Sequence, residues 1–204
     1  MNKIILATIG PFFLFQSVYS QNSTIEVNGG LLFPQDMDNG VIVGISKGQI
    51  VDENIGWAFE ANYFWRTFTK DRVVKSTGGT TTSATEIENS TKMLPVMFKI
   101  IYLSEIAPKL DLRISGGLGY TLLWNNDTNY KLNIENSGFF TGFAWQIGAG
   151  VSLPLTRASD VFAELSYFGS TPSTDEGETT EGLPLRTEID MSGLYMRLGI
   201  RLYH

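Results

Sequence analysis

The chain reads as an all-β protein: an eight-stranded antiparallel up-and-down transmembrane β-barrel following a cleaved signal peptide. Three observations predict this. Bulky apolar residues occupy alternate positions along one segment after another, with Gly, Ser and ions between them, and a period of two places each set on its own face of a strand. Residues 1–20 have a basic start at Lys3, an apolar run over 4–15 and a small residue, Ser20, before the cut, which is the pattern of a secretory signal. The connections between segments alternate short and long, as in barrels with tight periplasmic turns and extended external loops.

Residues 1–20 form one unit and 21–204 the barrel domain. Removing residues 1–20 takes away one positive charge, Lys3, and moves the formal charge from −6 to −7. The leader's apolar run is shorter than the ~20 residues a spanning helix needs, and no later segment approaches that length. The chain has no cysteine, which excludes disulfides and a lipid-anchored amino-terminal Cys. An exported chain of this kind must hold together by sheet closure.

The first strand covers 24–33, with Ile25, Val27, Leu31 and Phe33 on one face and Glu26 and Asn28 on the other. The second covers 41–51; Lys47 breaks its outward parity, which predicts a bulge near Gly48. After the turn Asp52-Glu53-Asn54, the third sets Trp57, Phe59, Ala61, Tyr63 and Trp65 against Glu60, Asn62 and Arg66. The polar stretch 69–91 reads as a loop. The fourth, 93–103, carries Leu94, Val96, Phe98 and Ile100 outward and Lys99 inward, and 104–109 make a short turn. The fifth, 110–124, opposes Leu112, Ile114, Leu118 and Tyr120 to Asp111, Arg113, Ser115 and Gly117. A loop over 125–138 leads to the sixth, 143–155, with Phe143, Trp145, Ile147 and Val151 outward. The turn 156–160 leads to the seventh, where Val161, Ala163 and Leu165 oppose Glu164. A second long insert, 169–190, precedes the eighth, in which Leu194, Met196, Leu198, Ile200 and Leu202 alternate with Tyr195, Arg197, Gly199, Arg201 and Tyr203.

A soluble exported barrel would turn its apolar face inward, so side-chain size decides between the two. The apolar set holds Trp57, Trp65, Trp124, Trp145, Phe59, Phe98 and Phe143; an eight-strand interior, just wide enough for side chains to fill, would be overcrowded by it. The Gly- and Ser-rich set suits a narrow lumen. Trp57 and Trp65 lie eight residues apart on one face, ~26 Å along a strand at ~3.3 Å per residue. Tilted by ~40°, the strand separates them by ~20 Å along the membrane normal, close to the ~25 Å apolar band between aromatic girdles.

On the segments Leu110-Asp-Leu-Arg-Ile-Ser-Gly-Gly-Leu-Gly-Tyr120, Phe143-Ala-Trp-Gln-Ile-Gly-Ala-Gly-Val-Ser-Leu153 and Gly193-Leu-Tyr-Met-Arg-Leu-Gly-Ile-Arg-Leu-Tyr203, the mature chain resembles the OmpA/OmpX-type small outer-membrane β-barrels of Gram-negative bacteria, a porin-like β-barrel domain. The resemblance implies residence in the outer membrane, contact with its lipid and lipopolysaccharide, and handling by the barrel-assembly machinery. Family members end on an aromatic residue; here Tyr203 is penultimate and His204 is last.

Catalysis has little to work with. Barrels resembling lipid A deacylases or palmitoyltransferases use a His beside a Ser, and the single histidine is His204; the expectation is a non-enzyme. Without His or Cys clusters no N/S metal set is foreseen, and no cofactor. The glycines of 116–119 and 148–150 lie inside strands with no helix after them, so neither nucleotide nor nucleic-acid binding is expected, and close packing of large neighbours explains them.

The inward ions form a candidate interior network: Glu26, Glu60, Asp111 and Glu164 against Arg66, Lys99, Arg113, Arg197 and Arg201. Unpartnered buried ions cost several kcal/mol, so both signs should pair. Glu164 is expected to meet an arginine of the neighbouring eighth strand, and Glu26 the other. The leading functional reading is an integral outer-membrane barrel with a plugged polar interior, acting in envelope integrity or surface interaction through 69–91 and 169–190. The alternatives are a small-solute or ion pore and an exported soluble ligand-binding barrel.

Overall fold

The computed structural model describes residues 23–35, 37–75, 81–130, 134–178 and 184–204; the signal-peptide reading of 1–20 lies outside them. Among the described residues ten strands form: β1 (Ser23–Pro34), β2 (Gly40–Ile50), β3 (Ile55–Lys75), β4 (Thr81–Ala107), β5 (Leu110–Asn129), β6 (Ile134–Thr156), β7 (Ser159–Ser170), β8 (Ser173–Glu178), β9 (Pro184–Glu188) and β10 (Gly193–Tyr203). Each of β1 to β7 pairs antiparallel with its sequence neighbour, β7 pairs with β10, and β10 closes on β1. Eight strands therefore make a closed antiparallel barrel without a free edge. The other two, β8 and β9, are a hairpin tied to β6 through the pair Thr141 and Ser173.

Alternation sorts the side chains as the period of two requires. Val27, Ile45, Phe59, Phe98, Ile100, Leu118, Phe143, Ile147, Leu165, Met196 and Leu198 stand exposed on the outer wall, Leu198 at 68%. A wall this apolar is stable only against hydrocarbon, since single-domain proteins in water do not expose contiguous apolar surface on this scale. Aromatic pairs lie toward both ends of the wall. Trp57 stacks on Phe98 at 6.2 Å near the periplasmic turns, and Tyr63 stacks on Trp65 at 5.8 Å near the opposite rim.

Four expectations are corrected. Lys47 does not force a bulge at Gly48: β2 keeps an unbroken register with both β1 and β3. The strand absorbs the lysine because it lies three residues from the strand end, where a long stem can carry its ammonium to the interface. The stretch 69–91 is mostly strand, with β3 and β4 paired out to Lys75 and Thr81 and one register shift at Lys70/Asp71. The stretch 125–138 is likewise β5 and β6 continuing their ladder to Asn129 and Ile134. Within 169–190 the hairpin β8–β9 forms. Polar residues make strands here because a ladder already started in the membrane propagates by backbone bonds, whatever the side chains.

The wall is consequently uneven. Strands β1, β2, β7 and β10 have 11 or 12 residues, close to the ~9–11 a tilted spanning strand needs. Strands β3 to β6 have 20 to 27 and rise beyond the membrane on one side only. At the opposite end, the periplasmic one in the orientation the sequence predicts, the turns are tight: Pro108-Lys109 joins β4 to β5, with Lys109 in the left-handed region at φ 66°, and Arg157-Ala158 joins β6 to β7.

Pro95 sits buried inside β4. It lacks an N–H, and the β3–β4 ladder lapses there: Ala61 pairs with Val96 and Phe64 with Met93, with no pairs for Asn62 or Tyr63 between them.

Candidate functional site

Within the barrel, the site follows from register. Arg197 of β10 lies opposite Glu164 of β7, and Arg201 opposite Glu26 of β1, so each acid and base point inward from adjacent strands. Arg197 donates to Glu164 Oε1 at 2.7 Å, and Arg201 Nε donates to Glu26 Oε1 at 2.7 Å. From the far side of the lumen, Arg113 of β5 gives Glu26 a bidentate pair at 3.0 and 2.9 Å and bonds Glu164 Oε2 through Nε at 2.7 Å. Glu60 of β3 accepts from Arg197 at 2.6 Å and from Lys99 at 3.3 Å. Lys99 is also 3.7 Å from Glu164.

Glu60 and Glu164 also accept from neutral donors. Asn62 donates to Glu60 at 2.8 Å, and Ser115 and Ser166 donate to Glu164 Oε1 at 2.9 and 2.8 Å. Glycine makes the room: a methyl on Gly148 would run into Glu164 Oε1 and Ser166, and one on Gly117 into the Lys99 stem. Charge-assisted bonds of this kind between buried groups are the strong class.

The seven interlocked ions comprise three carboxylates and four cations, leaving one positive charge in excess. Asp160, buried at the periplasmic end, supplies the fourth carboxylate. Tyr203 donates its hydroxyl to Asp160 and accepts from Arg201 at 3.5 Å, linking it to the group. Phe162 lies under the cations, with Arg113 4.4 Å and Arg197 5.8 Å from its ring, and Gly199 leaves space for that ring. Tyr195 closes the top of the layer, bonded to Asn28 at 2.9 Å and 5.4 Å from Arg197.

Two of the nine expected members stand apart. Arg66 is at the external mouth, where it pairs with Asp38 of the β1–β2 connection and lies 5.7 Å from the Phe68 ring. Six residues of strand separate it from Glu60, ~20 Å at ~3.3 Å per residue, too far for a shared bond. Asp111 faces inward near the periplasmic opening of β5 but makes no ion pair among the described residues.

Sequence reasoning missed the layer above the ions. Leu32, Ile42, Phe64, Met93, Met97, Leu123, Phe140, Ala144, Phe168 and Met191 form a buried apolar cluster in the outer half of the lumen, with Met37 and Ile189 from the connections packed onto it. The signal was present: Leu31-Leu32-Phe33, Val41-Ile42-Val43, Tyr63-Phe64-Trp65 and Leu122-Leu123-Trp124 are runs where alternation lapses because both faces are apolar. Above this cluster a cleft of about 620 Å³ opens outward, lined by Gln35, Met37, Asp38, Arg66, Phe68, Asn89 and Asp127.

Among the described residues no cluster of His, Cys, Asp and Glu has the makings of a metal site. What the arrangement can do chemically is hold opposite charges together in a buried layer of the lumen, and present polar backbone ladders and side chains outside.

No family model and no curated protein sequence matches the chain. Solved structures do. The chain superposes on Neisserial surface protein A with TM-score 0.57 at 13% identity, over 91% of this chain and 98% of that one. It superposes on the outer membrane protein OprG of Pseudomonas aeruginosa with TM-score 0.53 at 11%, over 90% and 96%. It superposes on Ail, the attachment invasion locus protein of Yersinia pestis, with TM-score 0.50 at 11%, over 89% and 95%. The fold is that of the small eight-stranded outer-membrane barrels.

Proposed function

We propose that the protein is an integral outer-membrane barrel that conducts nothing at rest and works from its external face, in envelope integrity or surface interaction. The observation that carries this is the two-layer filling of the lumen. Seven paired ions span it from β1, β3, β4, β5, β7 and β10, and an apolar cluster lies directly above them. An eight-strand barrel has room for side chains and little else, and passage would require breaking several charge-assisted bonds in low dielectric and hydrating an apolar layer.

The raised strands β3 to β6 and the β8–β9 hairpin support an external role, since they continue past the length that crossing demands. The structural likeness to Ail, named for attachment and invasion, points the same way. Lipopolysaccharide is the partner such a rim meets first, and the barrel-assembly machinery is the partner of biogenesis.

The test is planar-bilayer conductance of the refolded barrel, alongside heat-modifiable gel mobility. Folded protein without unitary conductance is the expected result. Steady channels from the parent protein would replace this reading with the pore, and a folded species stable in buffer without detergent would replace it with the soluble carrier.

A further inference from the structure

The outer wall is not uniformly filled. Across β6, β7, β10 and β1, register places the outward residues in rows: Leu153, Val161, Ile200 and Val27 in one, and Val151, Ala163, Leu198 and Gly29 in the next row up. In the second row Leu198 projects between Ala163 and Gly29, so a depression lies on either side of it. Together they form an apolar furrow of about 670 Å³ with Phe162, Gly199 and Asn28 in its floor. Gly29 is not required by packing within the chain, because a methyl there would meet only Val43 Cγ1 at 3.9 Å and the Ile42 carbonyl at 4.0 Å. By contrast, methyl groups at Gly30 and Gly193 would strike backbone.

Beside the periplasmic end of this furrow stands Lys47. Across β1, β2, β7 and β10 it is the one charged residue on the outward face. It pairs in register with Ile25, one row nearer the periplasm than Val27 and two rows nearer than Gly29. Four residues of strand, ~13 Å at ~3.3 Å per residue, therefore separate a cation from the deepest part of an apolar trough. A lysine on a lipid-facing wall is costly unless its ammonium reaches an interfacial anion, and the trough leads from that anion's level toward the membrane centre.

We propose that the furrow is a phospholipid site of the periplasmic leaflet: the lipid phosphate sits on Lys47, and one acyl chain lies over Gly29 beside Leu198. This rests on the reading of the outer wall as lipid-facing. The shape and the charge select the same molecule, since the furrow alone would take any chain and the lysine alone any phosphate.

The experiment is native mass spectrometry of the full barrel in detergent, titrated with palmitoyl-oleoyl phosphatidylglycerol, with a diacylglycerol of the same chains and inorganic phosphate as separate arms. The parent should retain one phosphatidylglycerol per barrel. Filling the furrow with Gly29→Leu and Ala163→Leu should weaken retention tenfold or more. Lys47→Gln should weaken it severalfold, to the level of diacylglycerol, and Lys47→Arg should restore it. Ala61→Leu, on the outer face of β3, should change nothing, and inorganic phosphate should neither bind nor compete. Parental retention by the filled furrow, or equal loss in Ala61→Leu, would overturn the site. A parent without heat-modifiable mobility in liposomes would overturn the lipid-facing reading itself, and the site with it.

Discussion

Arg113 has the most demanding position of any residue in the molecule. It is fully buried, binds Glu26 with both terminal nitrogens and Glu164 with Nε, and stands over the Phe162 ring. A lysine cannot reproduce that fork geometry. Truncating Arg113 to Ala strips one cationic partner from both Glu26, which keeps Arg201, and Glu164, which keeps Arg197, and the loss should be about 3 to 5 kcal/mol in urea unfolding from liposomes. The pair Glu164 and Arg197 gives a sharper measurement, because the two bond directly at 2.7 Å. Each single neutral replacement should destabilise, and the double should recover part of the loss. Strictly additive losses in that double-mutant cycle would show that the two do not act as a pair. At the β4–β5 turn, Lys109 carries a left-handed backbone at φ 66°, which costs a side-chain-bearing residue about 1–2 kcal/mol. Lys109→Gly should raise the urea midpoint, and a lowered midpoint would mean that the lysine side chain makes a compensating contact.

Among the elements, β4 is the weak member of the wall. Pro95 breaks its ladder to β3 over Asn62 and Tyr63, and an unsatisfied backbone group costs more in hydrocarbon than in water. Pro95→Thr restores the N–H and should stabilise the barrel by roughly 0.5–1.5 kcal/mol, read as a higher urea midpoint. Slower hydrogen exchange at the β3–β4 seam should accompany it. The hairpin β8–β9 touches the barrel wall in register at a single pair, Thr141 with Ser173. Replacing it by a short turn should leave assembly and heat-modifiable mobility intact, and a failure to assemble would show that it contributes to folding. The tall β3–β4 hairpin and β8–β9 should be the segments nicked when protease is added to intact cells. Cleavage confined to 52–54 or 156–160 would mean the opposite orientation.

At the scale of the whole molecule, the apolar wall and the filled lumen make one consistent claim about surroundings. Leu198 is 68% exposed at mid-wall on β10. An arginine there should cost about 2 to 4 kcal/mol at the bilayer midplane, and the measured quantity is the membrane-assembled fraction of Leu198→Arg. Assembly equal to the parent would refute the lipid exposure of β10.

The sequence by itself determined the strand faces, the closed eight-strand count and most of the inward ions, because all of these are written in a period of two. Even the adjacency of Glu164 and Glu26 to the arginines of the last strand follows from neighbouring strands sharing a parity. Tertiary structure decided the rest. Which arginine meets which acid, and the reach of Arg113 and Lys99 across the lumen, depend on stagger between strands, a quantity no single strand encodes. The same stagger set Arg66 at the mouth with Asp38 and left Asp111 outside the ion cluster. The polar stretches 69–91 and 169–190 carry no apolar alternation, so their strands were illegible. They form because ladders anchored in the membrane extend outward by backbone pairing alone. The apolar upper lumen was hidden for the opposite reason: its residues sit in unbroken apolar runs, where parity says nothing until closure decides which face is inside.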